Sequence, residues 1–219
     1  MGKKIVIDPV TRNEGHLKIE IEIEENIVKE AKSSGMLYRG LERILIGRDP
    51  RDACQITQRI CGVCPQAHAT ASTMCLDDAF GIKDGIPENA WIVRNLMHAS
   101  NHIHNSILHF YHLSILDYID VANVRKGIST ELDLVCEFLK RDQLYPFVPR
   151  QEDFRLPQEI NERIVNNYLR ALEMRRIAQE ALAIFGGRMP HQCGIIPGGV
   201  TQEVDAGKIE NFLGKMKDL

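Results

Sequence analysis

The chain has 219 residues, 44% of them hydrophobic and 26% charged, with a formal net charge of −3. That apolar content can fill one sizeable core, and the absence of a basic footprint argues against nucleic acid as a partner. Six irregularly placed cysteines do not make a disulfide framework and fit synthesis in a reducing compartment; with no signal peptide and no long apolar run, nothing here is expected to span a membrane.

The start reads as β. Leu17, Ile19, Ile21 and Ile23 alternate with Lys18, Glu20, Glu22 and Glu24, the period of a half-buried strand. Glu25-Asn26 makes a turn, and 27–32 pairs back as a hairpin, which places a sheet over about 1–35. After Arg51 the pattern turns helical, with helices expected over 52–58, 64–80, 88–119, 129–141, 158–185 and 205–219. Pro87 opens the third, Ser129 can cap the fourth, and Gly186-Gly187 ends the fifth. In the last, Ile209, Phe212, Leu213 and Met216 recur at helical spacing. The stretch 142–157, with Pro146, Pro149 and Pro157, is the least regular. The expected architecture is α+β, a small N-terminal antiparallel sheet packed on a bundle of long helices over about 50–219.

Residues 59–68, Arg-Ile-Cys-Gly-Val-Cys-Pro-Gln-Ala-His, carry the chemistry. Cys61 and Cys64 form a C-x-x-C pair whose turn can bring both sulfurs to one metal, and His68 follows Cys64 by one helical turn. Gly62 frees the turn, and Pro65 suits a first helical turn. Cys64 then lies near a helix N-terminus, where the dipole favours thiolate. Spacing alone leaves several readings open: half a zinc site, a redox dithiol, an iron–sulfur ligand pair, or two packing cysteines. The remaining cysteines, Cys54, Cys75, Cys136 and Cys193, are isolated and read as buried packing residues. Cys75 is on the Cys64 face but three turns on, roughly 16 Å away, too far to share a metal.

The helix expected over 88–119 contains five histidines. His98, His102, His109 and His112, with Asn105, fall within about 80° of one another at helical rotation, one stripe. The sharp reading is a proton path or metal site. The favoured one is a polar seam satisfied by the backbone and by neighbouring helices. His16 and His191 read as structural hydrogen-bonders.

Four further blocks stand in order with the cysteine motif. They are Ile7-Asp8-Pro9-Val10-Thr11-Arg12-Asn13-Glu14-Gly15-His16 with Arg39-Gly40-Leu41-Glu42, then His109-Phe110-Tyr111-His112-Leu113, then Pro197-Gly198-Gly199-Val200-Thr201. Together they resemble the large subunit of nickel–iron hydrogenases, over nearly the whole chain. The resemblance implies a nickel–iron centre with cyanide and carbon monoxide on the iron. In it Cys61 would bind nickel alone, and Cys64 would bridge nickel and iron. His68 would hydrogen-bond the bridging sulfur, Glu14 would relay protons, and Glu42 would help hold magnesium. It implies dihydrogen as substrate and electrons leaving through iron–sulfur clusters in a small partner subunit. A partly desolvated Glu14 would have a raised pKa suited to that relay.

The family's second block, Asp-Pro-Cys-x-x-Cys-x-x-His, does not occur in this chain. The expectation is a split or truncated large subunit that needs a complementary C-terminal chain. The compartment is left open, cytoplasmic or exported with the small subunit. Asn105 stands where many relatives have an acid, and an amide there cannot ionise. The rival readings are a metal-free scaffold related to the complex I subunit and an assembly fragment that binds partners. Without the family pattern, Glu14 and Glu42 would read as solvated acids near a chain turn.

Overall fold

The computed structural model describes residues 2–120, 134, 154 and 156–219, so the helix expected over 129–141, Cys136 and most of 142–157 lie outside the described residues. The chain divides into two compact units, Met1–Arg43 and Ile44–Leu219.

The first unit is a three-stranded antiparallel sheet, β1 (Lys3–Val10), β2 (Leu17–Glu24) and β3 (Ile27–Gly35), in the order β1-β2-β3. The alternation of β2 sets the register: Ile19 and Ile21 lie opposite Ile7 and Ile5, so the apolar side chains share one face. Glu25 and Asn26 have φ of 51° and 60°. A two-residue hairpin loop needs this left-handed pair to match strand twist, and asparagine tolerates it.

The second unit is helical. A 3₁₀ turn (Pro50–Asp52) opens it, with the Asp49 carboxylate accepting the Arg51 backbone N–H at 2.9 Å. Next come α2 (Ala53–Thr57), a 3₁₀ turn (Gln58–Ile60) and α3 (Pro65–Ala79), after the five-residue α1 (Leu41–Leu45). The helix α4 (Glu88–Ile107) runs on as a π-helix (Leu108–Ser114) and a 3₁₀ turn (Ile115–Asp117). Beyond it lie α5 (Gln158–Gly186), a short hairpin of β4 (Ile195–Ile196) and β5 (Gly199–Val200), and α6 (Ala206–Asp218). The single helix expected over 88–119 is therefore three kinds of helix. The one expected over 52–58 is a short α-helix between 3₁₀ turns.

The helix α4 packs along α5, α5 against α6, and α2 against α3. Their shared core is Ala69, Val93, Met97, Ala181, Leu182, Phe185, Ile195 and Phe212. Gly187 ends α5 in the left-handed conformation, φ 76°. Gly194 lets the chain double back against α5: a Cβ there would lie 2.1 Å from the Phe185 carbonyl oxygen. The β4–β5 hairpin is tied to the helices by a buried ion pair. Arg94 Nη1 donates to Asp77 Oδ2 at 2.7 Å, Nε to the Gly199 carbonyl at 3.2 Å and Nη2 to the Ile196 carbonyl at 2.8 Å. Asp77 Oδ1 accepts the Gly198 N–H at 2.7 Å. Every charge in this node has a partner, the condition for keeping an ion pair out of water.

Candidate metal centre

The backbone between Gln58 and α3 is shaped around one sulfur. Cys61 leaves the 3₁₀ turn in an extended conformation, φ −141° and ψ 137°. Its Sγ accepts the backbone N–H groups of Val63 and Cys64, both at 3.3 Å. Cys64 is the N-cap residue of α3, with Pro65 at the first helical position, and its sulfur is not used to cap the helix. Both cysteines are half-buried, and neither is in a disulfide. Peptide dipoles thus point their positive ends at this turn, the environment that a metal-bound thiolate requires.

His68 lies on α3, four residues beyond Cys64, half-buried. Burial lowers its pKa, so the ring is neutral at pH 7 and keeps one nitrogen able to donate and one to accept. The structure thus gathers Cys61, Cys64 and His68 on one turn and the helix that follows. Among the described residues, no group of three or more His, Cys, Asp or Glu could hold a metal ion. Among the described residues the turn offers two cysteine sulfurs, with no further such group beside them.

The other expected site residues belong to the first unit. Glu14 lies exposed in the loop between β1 and β2, and Glu42 exposed in the first turn of α1. His16 does act as a structural hydrogen-bonder: its Nε2 meets Asp8 Oδ1 at 2.6 Å and closes the loop that carries Glu14. His191 contributes through its backbone, whose carbonyl accepts from Arg188 Nε at 2.6 Å. Cys54 is buried, 1% exposed, with its thiol pKa pushed up by burial. Cys75 and Cys193 are exposed, against expectation, because each lies on the outward side of its segment.

The histidine stripe does not survive as one. His98, His102 and His109 are exposed. The π-helix turns each residue by less than an α-helix does, which rotates His112 out of line and toward α5. There its Nε2 meets the Tyr168 carbonyl at 3.2 Å and Arg175 Nη1 donates to its Nδ1 at 3.4 Å. Its ring stands edge-on to that of Tyr168, centroids 4.6 Å apart. This is the polar seam, met by backbone and a neighbouring helix, that the bland reading expects of His112.

Sequence reasoning passed over His104, which lies off the stripe and is 1% exposed beside the Val63 backbone, behind the cysteine turn. Gln179 Nε2 donates to its Nε2 at 3.4 Å, while Nδ1 has no aligned partner among the described residues. Burial first, and the Arg175 guanidinium second, drive its pKa down to about 4, the Val63 backbone pulling weakly the other way. Its angular offset from the other histidines was the available signal. Gln58 and Gln192 were also passed over; glutamine carries no motif that would flag it.

Comparison with known proteins identifies the family. The family model for nickel-dependent hydrogenase matches residues 39–132 and 129–216, and a HoxL-like model matches 4–34. The chain is 46% identical over 218 residues to the periplasmic [NiFeSe] hydrogenase large subunit of Desulfomicrobium baculatum, covering 99% of this chain and 40% of that protein. It is 38% identical to the hydrogenase-2 large chain of Escherichia coli K12, covering all of this chain and 44% of the relative. Among solved structures, the Ni-Fe-Se hydrogenase of D. vulgaris Hildenborough in the reduced state superposes with a TM-score of 0.74 at 46% identity, over all of this chain and 41% of the other. The chain thus spans about two-fifths of the length of the relatives it matches. It belongs to the nickel-dependent hydrogenase family.

Proposed function

We propose that this chain supplies two of the four cysteine ligands of a nickel–iron centre and works as the N-terminal part of a hydrogenase catalytic subunit. The observation that carries the reading is the cysteine turn itself, with two backbone N–H groups on the Cys61 sulfur. Soft thiolates suit nickel and iron. Such a centre takes two further thiolates, which an Asp-Pro-Cys-x-x-Cys-x-x-His block of a complementary C-terminal portion would supply. Cys61 and Cys64 would hold that centre through their thiolates, Cys61 on nickel and Cys64 shared with iron. The neutral His68 imidazole donates a hydrogen bond toward the Cys64 sulfur and holds its orientation. Such a centre, when bound, supplies the heterolytic cleavage of dihydrogen. The Glu14 carboxylate would relay the proton outward, and Glu42 would offer a hard oxygen donor to magnesium. Electrons pass to iron–sulfur clusters of a small partner subunit.

The test is anaerobic purification of the chain from its host, with mass spectrometry of what accompanies it and assay of nickel. The expected result is nickel together with a polypeptide bearing the second cysteine block and an iron–sulfur subunit. The Cys64→Ser variant is expected to lose that nickel. Stable partner binding with no nickel under any maturation condition would overturn the proposal in favour of a metal-free scaffold.

A further inference from the structure

We propose that Gln58 is a positioning residue for Cys61, one that sets where this sulfur stands. The inference rests on the reading of Cys61 as a nickel ligand. Gln58 is completely buried. Its Nε2 donates to two carbonyls, that of Cys54 at 3.1 Å and that of Gln192 at 3.0 Å. Its own backbone carbonyl accepts the N–H of Cys61 at 3.4 Å. Held between these carbonyls, with a longer contact to Gln55 Oε1 at 3.5 Å, the side chain joins the 3₁₀ turn ending at Cys61 to α2 and to the segment around Gln192.

That segment is itself immobilised. Gln192 Oε1 accepts the N–H groups of Gly194 at 2.6 Å and Ile195 at 3.1 Å. The Cys193 N–H reaches the Gly186 carbonyl at 2.9 Å. A continuous path of hydrogen bonds therefore runs from the C-terminus of α5 through Gln192 and Gln58 to Cys61, and ends in the two N–H groups on its sulfur. One further detail separates positioning from mere packing. Gln58 Oε1 is buried with no hydrogen-bond partner among the described residues. An unpaired buried amide oxygen costs stability that an apolar side chain of the same shape would not. The amide carries that cost alongside two buried hydrogen bonds that methionine could not make.

The experiment is hydrogen–deuterium exchange of the full metal-free chain, wild type against Gln58→Met. In the variant the amides of Cys61, Val63 and Cys64 are expected to exchange at least ~10-fold faster, while that of Met97 in the core of α4 is unchanged. Exchange at the turn that is unchanged, or that rises equally at Met97, would overturn the proposal. Should the variant not fold, the wild type decides: Val63 and Cys64 amides exchanging at open-loop rates would mean that the turn is not fixed at all. In the assembled enzyme, nickel X-ray absorption is expected to show a broadened nickel–sulfur shell for Gln58→Met. Absence of nickel from the wild type would count against the hydrogenase reading, and the exchange result would still decide the role of Gln58 in holding the turn.

Discussion

At His104, burial and the Arg175 guanidinium hold the pKa at about 4 against an ordinary 6.5. The unfolded chain therefore binds more protons between those two values, so stability is level above about pH 6.5 and falls as pH drops toward 4. Across that window the loss is on the order of 3 kcal/mol. Replacing His104 with Gln should flatten this acid limb, as read by urea unfolding at a series of pH values; an unchanged slope would mean that other groups set it. At His68 the same physics keeps the ring neutral. With His68 partnering the Cys64 sulfur as proposed, His68→Ala should weaken nickel retention by roughly 10–100-fold, the usual cost of losing a partner to a metal ligand, measured by competition with a chelator. Gly194 is a steric demand with no polar component. A methyl group there would stand 2.1 Å from the Phe185 carbonyl oxygen. Gly194→Ala must therefore displace backbone, and a loss of about 3 kcal/mol or more is expected in chemical unfolding.

Among the elements, the Asp77–Arg94 node joins α3, α4 and the β4–β5 hairpin, with both side chains under 5% exposed. Arg94→Met strands a buried carboxylate and should cost about 3–5 kcal/mol, whereas the Asp77→Leu, Arg94→Met pair should recover much of that. A double-mutant cycle in urea checks it. The node was invisible in the sequence because its members lie 17 to 121 residues apart and neither sits on an amphipathic stripe. The hairpin was missed for a related reason: strands of two residues are too short to show alternation. The helices fared better. Those expected over 64–80, 158–185 and 205–219 stand as α3, α5 and α6, each marked by a proline, a Gly pair or an apolar stripe. The π-helix had no such marker, since its extra residue per turn leaves no trace in residue type.

On the scale of the whole molecule, the cysteine inventory limits what the chain does by itself. It carries one C-x-x-C pair, and a nickel–iron centre as proposed takes four thiolates. The purified chain without partners is expected to show no hydrogen-dependent dye reduction; turnover by that polypeptide would refute the shared-centre reading. No helix among the described residues is long and apolar enough to cross a membrane. The sheet and the helical unit are separate compact bodies; Glu14 and Glu42 belong to the first and Cys61, Cys64 and His68 to the second.

What the amino-acid order determined unaided is whatever depends on near neighbours along the chain. The β2–β3 hairpin follows from alternation and an Asn in the turn, the ends of α3 and α5 from Pro65 and Gly187, and the pairing of two thiols from a three-residue spacing. The family followed from the same local blocks, since their residues are contiguous and in order. Tertiary structure alone decided which sulfur the backbone wraps, which histidine is buried beside it, and that Gln58 joins Cys61 to Gln192. Those depend on contacts between residues far apart in the chain, and on burial, which exists only once α4 and α5 have closed over one another.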